Sequence, residues 1–385
     1  MTVSEFSDLI RVTDYQVLGK LPDPFRKEDG TRIKKQADWG EQRKFLYKSA
    51  VELQYGTQPP DPEVFRVEPC YITEKQHSYR ITAGTEEKQL SFYMKLFTPK
   101  KRAPWPTAVD GDLCFMYAFD TPWHEAFTEN GFALAMFDRT EIMHDIYGED
   151  RMKSPLCEIY PEYTFGALGA WAWGYKRVTD ALIMLGLLDP ECLAYTGHSR
   201  GGKTALLAGV LDERANIVAP NETNAGAAGC YRIHMRAIQE NGLEARSETL
   251  RDLVTAFPFW LGPEMAAYQE REEELPFDCH FLKSLVAPRI LLIGEAASDI
   301  WTNPIGSWQT TMAAKEVYDF LGASDNLYWY FRRGYHFHTL EDVMHLVELM
   351  RRKVMPVRTP LNNRFFETPF RQPELIFNWK APGKK

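Results

Sequence analysis

The run Gly197-His198-Ser199-Arg200-Gly201 has the residue types and spacing of an activated nucleophile. It follows the apolar segment LAYT and opens directly into GGKTALLAGVL, the strand–turn–helix context that a G-x-S-x-G elbow requires. The glycines are needed because the turn is tight and its backbone packs closely on neighbouring elements. The serine oxygen then sits at the C-terminal edge of a sheet, beside a helix N-terminus that favours developing negative charge. Such a serine attacks an acyl carbon once a base takes its proton and a carboxylate orients that base.

In chain order the base of such a site follows the last strand. Gly334-Tyr335-His336-Phe337-His338-Thr339 lies there, after NLYWYFRR and before the last helix. Either histidine could serve, and His336 is preferred over His338. Two acids compete for the third role. Asp299, in GEAASDIW, follows the strand RILLIGE, the usual place for the acid; Glu222, in VAPNETNAG, ends the preceding strand. Both lie between Ser199 and His336, so order does not choose between them, and either carboxylate could instead cap a loop or pair with a cation.

These residues need a scaffold that brings strand ends together. Alternating segments FRVEPCYITE, HSYRITAG and SFYMKLFTPK predict an antiparallel edge. Short apolar runs at 107–118, 132–139, 191–197, 216–223, 289–296 and 326–334 then alternate with helical periodicity at 166–186, 201–211, 310–322 and 341–352. That alternation predicts a mainly parallel sheet covered by helices on both faces, a three-layer α/β fold. Residues 225–288 interrupt it and read as an insertion over the active-site face, where open α/β sheets bind ligands. No repeat, low-complexity tract or Gly/Ser linker marks a boundary, so 1–385 reads as a single domain, with an N-terminal extension of about 1–60 packed on it. Within that extension, 21–56 reads as a polar loop and a helix from about Asp38.

The 385 residues carry 45 Lys+Arg against 53 Asp+Glu, a formal charge of −8 that argues against nucleic acid as a partner. No apolar run reaches the roughly 18 residues of a membrane helix. MTVSEFSDLIRVTDY shows no apolar signal core, so the chain as written reads as cytoplasmic, or as secreted or periplasmic if a signal has been removed. Six scattered cysteines without a CxxC pair read as reduced, mostly buried thiols.

Taken together the residues resemble a known family, the glucuronoyl esterases of carbohydrate esterase family fifteen, in their bacterial type. The resemblance covers most of the chain. It rests on the opening LPDPF…DG…W…R…YG, on Ala170-Trp171-Ala172-Trp173-Gly174 running into Arg177 and Asp180-Ala181-Leu182, and on Gly197 through Lys203. It continues with Glu222, the small residues after it and Cys230-Tyr231-Arg232, then Leu275-Pro276-Phe277-Asp278, His280 and Ala287-Pro288-Arg289.

The resemblance implies an α/β-hydrolase fold and a serine carboxylic-ester hydrolase acting through an acyl-enzyme, without metal or cofactor. It implies Ser199 as nucleophile, His336 as base and Glu222 as acid, with Asp299 in the position where some bacterial members carry an acid. Arg200 would stabilise the oxyanion through its backbone N–H and guanidinium. Lys203 would hydrogen-bond sugar hydroxyls, and Trp301 would wall the uronate ring. The fungal members' Cys before the serine is His198 here, so their disulfide is absent. Their acidic sugar-binding residue has no match in TAFPFWLGPEM (255–265). The implied substrate is an ester of glucuronic or 4-O-methylglucuronic acid, small or oligosaccharide, as in lignin–carbohydrate linkages. An acetylxylan-type sugar O-acetyl esterase shares the elbow and triad and is the enzymatic alternative. A catalytically silent carbohydrate-binding protein is the alternative from another class. The oligomeric state is not legible.

Overall fold

The computed structural model describes residues 11–238, 242–355 and 374–384, so the first ten residues of the expected N-terminal extension lie outside it. Its strands are β1 (Arg11–Val17), β2 (Val64–Ile72), β3 (Gln76–Gly84), β4 (Gln89–Phe97), β5 (Trp105–Asp110), β6 (Ala133–Phe137), β7 (Leu188–His198), β8 (Ile217–Asn221), β9 (Ile233–Ile238), β10 (Glu244–Arg246), β11 (Ile290–Ala296) and β12 (Leu327–Arg332). Nine form one sheet in the order β12-β11-β8-β7-β5-β6-β4-β3-β2. The six from β12 to β6 run parallel, and β4, β3 and β2 continue the sheet antiparallel.

The helices are α1 (Trp39–Tyr47), α2 (Leu53–Tyr55), α3 (Thr121–Thr128), α4 (Pro155–Ile159), α5 (Ala167–Met184), α6 (Arg200–Leu211), α7 (Leu250–Ala256), α8 (His280–Val286), α9 (Pro304–Phe320) and α10 (Leu340–Val354). Side chains alternating along the central strands feed two apolar layers. Cys192 and Ala194 of β7, Ile217 and Ala219 of β8 and Leu292 of β11 join the layer under α3 and α10. Leu193, Tyr195, Val218, Leu291 and Ile293 join the larger one under α5, α6, α8 and α9. The period of two along a strand is what allows one sheet to be covered on both faces. Leu21, Phe25, Ile33, Leu46, Val51 and Tyr55 share that larger core, so the segment before β2 is packed on the sheet's helical face.

Two expectations change. The strand at 107–118 ends at Asp110, because the Asp112 N–H turns back onto Asp110 Oδ1 at 2.7 Å and the chain leaves the sheet. The 225–288 segment does not lie wholly over the active-site face: β9 joins β1 and β10 in a separate antiparallel sheet, and α8 packs beside α9 on the large core.

Candidate active site

Ser199 stands between β7 and α6 with φ 56° and ψ −119°, a conformation that β-carbon-bearing residues avoid. The turn around it leaves no room for side chains. A Cβ on Gly197 would meet the Gly201 carbonyl oxygen at 2.5 Å, and one on Gly201 would meet the Asp112 carboxylate at 2.0 Å. The Ser199 N–H donates to Asn221 O at 3.0 Å and the His198 N–H to Asp112 Oδ2 at 2.9 Å. Strand β8 and the end of β5 thus hold the elbow from two sides.

The histidine and both acids come together at the ends of β12, β11 and β8. His336 Nδ1 lies 2.5 Å from Asp299 Oδ2 and 3.6 Å from Glu222 Oε2. Glu222 is fully buried and engaged elsewhere: Arg332 donates to its Oε1, and the Phe337 N–H donates to Oε2 at 3.0 Å. Burial and the neighbouring Asp299 charge push the Glu222 carboxyl well above the usual range, with Arg332 pulling the other way. Arg332 also donates from Nε to both oxygens of Asp342, at 2.9 and 3.0 Å, and to the Phe337 carbonyl. Asp342 in turn closes the capping box of Thr339 at the start of α10. One buried guanidinium therefore fastens the histidine loop to Glu222 and to α10.

His338 is not part of that cluster. It is buried edge-on to Tyr117 and Trp123, its Nδ1 is without a partner, and burial lowers its pKa to about 3. His198 lies between the two, with ring centroids 4.5 Å from His336 and 5.7 Å from His338. Its Nδ1 is 2.7 Å from Asn221 Oδ1, and burial keeps it neutral well below the usual imidazole range. His198, Glu222 and His336 offer ligand atoms within 4.8 Å of one another. Arg332 donates to Glu222 Oε1, and Asn221 and Asp299 lie against Nδ1 of His198 and His336, an arrangement that can orient an imidazole.

Of the other sequence candidates, Arg200 and Lys203 lie on the first turn of α6, directly after the elbow. Arg200 Nη1 donates to Asp145 Oδ2 at 2.8 Å, and its guanidinium lies over Phe257 and Trp260, 5.1 and 4.8 Å from their ring centroids. Lys203 is buried, and its Nζ bonds Glu248 Oε2 at 2.7 Å and Ala225 O at 2.6 Å. Trp301 keeps 41% of its surface exposed, with Arg246 over its ring, while its carbonyl accepts from the Glu248 N–H and from Asn224.

Four residues here were not singled out by sequence reading. Glu248 forms a buried ion pair with Lys203 from outside any motif the sequence offers. Arg332 ends the last strand in an otherwise apolar run, a visible but unspecific signal. Asp112 and Asp145 lie in irregular segments with no motif to betray them.

The chain matches the family model described as "Glucuronyl esterase, fungi" over residues 81–322. It is 29% identical over 317 residues to a 4-O-methyl-glucuronoyl methylesterase of Podospora anserina, covering 80% of this chain and 62% of that protein. It is 28% identical over 338 residues to 4-O-methyl-glucuronoyl methylesterase 1 of Wolfiporia cocos, covering 85% of this chain and 79% of that one. The chain thus spans less than two thirds of the first of these relatives. Among solved structures, a carbohydrate esterase family 15 glucuronoyl esterase from Caldicellulosiruptor kristjansonii superposes with a TM-score of 0.81 at 27% identity, over 95% of this chain and 98% of that one. A glucuronoyl esterase mutant from Sporotrichum thermophile, in complex with methyl 4-O-methyl-β-D-glucopyranuronate, shares the fold with a TM-score of 0.73 at 23% identity, over 90% and 91%.

Proposed function

The chain belongs to the glucuronyl esterase family, and on that premise we propose that it is a serine esterase cleaving esters of glucuronic or 4-O-methylglucuronic acid. Its architecture is that of the α/β-hydrolases, and we read the whole chain as one such domain. The observation that carries the proposal is the His336–Asp299 contact of 2.5 Å, with the His336 ring 4.5 Å from that of His198, the residue before Ser199: a base already oriented by a carboxylate.

In this reading Ser199 Oγ attacks the uronoyl carbonyl while His336 Nε2, the nitrogen left by the Nδ1–Asp299 bond, takes its proton. Asp299 holds the ring in that tautomer and stabilises the imidazolium. Glu222, tied to Arg332 and the Phe337 N–H, adds a second carboxylate behind it and fixes the loop. The tetrahedral oxyanion meets the Arg200 backbone N–H at the α6 N-terminus and the Arg200 guanidinium, each such donor typically contributing about 3–4 kcal/mol. Collapse expels the alcohol, which takes the proton back from His336. Water then attacks the acyl-enzyme by the same route and releases the free uronic acid. The Lys203–Glu248 pair would supply donors and acceptors for sugar hydroxyls, and the exposed Trp301 ring a wall for the pyranose face.

The test is hydrolysis of benzyl or methyl glucuronate beside an acetylated xylo-oligosaccharide, with Ser199→Ala as blank. Turnover of the uronate ester alone is expected. Turnover of acetate alone would overturn the acyl assignment and keep the triad, and turnover of neither would favour a silent binding protein.

A further inference from the structure

Around the elbow the charged side chains form a connected chain. Asp112 backs the His198 N–H and packs on Gly201; Arg139 donates to Asp112 and its Nη2 lies 3.9 Å from Asp145 Oδ2. Asp145 closes the far end, accepting from Arg200 Nη1 at 2.8 Å through one oxygen and from Trp260 Nε1 at 3.0 Å through the other. Trp260 is stacked on Phe257 at 3.9 Å and 9°, and the Arg200 guanidinium rests on both rings. Arg139 is fully buried, held between the Phe115 and Trp171 rings at 4.8 Å from each, so the anchor of this chain is rigid.

We propose that Asp145 is a positioning residue for the esterase reaction, fixing the Arg200 guanidinium against the Phe257–Trp260 shelf at the site of the developing oxyanion. The inference rests on the reading of Arg200 as an oxyanion donor. An arginine on the first turn of a helix, left to itself, samples many rotamers, and ordering it at each turnover costs conformational entropy. Asp145 supplies that order in advance. It does so with one carboxylate whose second oxygen sets the shelf, so that guanidinium and aromatic support move as a unit. Preorganised donors stabilise a transition state because no reorganisation is required when the charge appears.

The experiment is a double-mutant cycle on methyl glucuronate, with kcat, KM and the thermal midpoint measured for Asp145→Asn, Arg200→Ala, the pair together and Trp260→Phe. Arg200→Ala is expected to lower kcat by roughly 10²–10³-fold. Asp145→Asn is expected to lower it by roughly 10–100-fold, with KM changed less than about threefold. In the Arg200→Ala background Asp145→Asn has no further effect on kcat, because the group it positions is gone. Trp260→Phe, which removes the indole N–H and narrows the shelf, is expected to lower kcat less than Asp145→Asn, because Phe257 and the Asp145 carboxylate still hold the guanidinium. If the two losses multiply, or if Asp145→Asn lowers only the thermal midpoint, the inference is overturned while Arg200 keeps its role. If Trp260→Phe reproduces the Asp145→Asn loss, Asp145 acts on the shelf and not on Arg200, which also overturns it. If Arg200→Ala is fully active while Ser199→Ala is dead, the oxyanion reading falls and takes the inference with it.

Discussion

His336 Nδ1 sits against Asp299 at 2.5 Å, although Glu222 lies within 3.6 Å of the same nitrogen. The two acids are divided by what else holds them. Asp299 faces the ring, whereas Glu222 is spoken for by Arg332 and the Phe337 N–H. Asp299→Ala should lower kcat by roughly 10³-fold or more, the scale seen when a triad acid is lost. Glu222→Gln should cost less than about tenfold in kcat and mainly lower the thermal midpoint, since one amide oxygen cannot replace the two that accept from Arg332 and the Phe337 N–H. Steady-state kinetics of the two single variants and the double variant read this directly; a larger loss from Glu222→Gln than from Asp299→Ala would reverse the division.

Gly201 is closed to any side chain. Its missing Cβ would fall 2.0 Å from an Asp112 oxygen that already takes the His198 N–H and the Tyr117 hydroxyl. Gly201→Ala should cost on the order of 1–3 kcal/mol of stability and at least about 100-fold in kcat, since the same carboxylate that must yield also sets the elbow backbone. Denaturant unfolding and turnover measured together separate the two losses.

Trp301 offers the opposite case. With 41% of its surface exposed it contributes little to the core. Trp301→Ala should leave the thermal midpoint within a few degrees and raise KM for glucuronate esters roughly tenfold, the loss expected for about 1–2 kcal/mol of ring contact. An unchanged KM would remove it from the substrate wall.

Acid stability should follow the buried imidazoles. Burial lowers His338 to about 3 and His280 to about 4, from an unfolded value near 6.5. The native state refuses protons that the unfolded chain accepts, so stability is present above about pH 6.5 and falls as pH drops toward those native values. Glu295, pushed up to about 8 by burial, acts oppositely: its contribution is full below the unfolded carboxylate value and is lost as pH rises through about 8. Midpoints measured from pH 4 to 9 should therefore fall at both ends. His338→Gln should flatten the acid limb, and Glu295→Gln the alkaline one.

The strand ends of the candidate site were legible because periodicity and a short motif carry them. The apolar runs place β7, β8, β11 and β12, and Ser199, Glu222, Asp299 and His336 stand at or just beyond their C-terminal ends. What escaped was long-range pairing. Strand β1 finds β9 through Arg11–Ile238 register, a contact no local pattern announces, and β9 lies inside the segment read as an insertion. Lys203 shows the same limit. Its place in the motif is plain, but its partner Glu248 is 45 residues on, and only folding brings the buried pair together. Arg332 looks like a stray charge at a strand end until Glu222 and Asp342 converge on it.

The φ of 56° at Ser199 also sets what the elbow gives up in heat tolerance. Glycine would occupy that position without the roughly 1–3 kcal/mol that a left-handed, β-carbon-bearing residue costs. Ser199→Gly should accordingly melt higher than the parent while hydrolysing nothing, because glycine adopts without strain the conformation that the elbow requires.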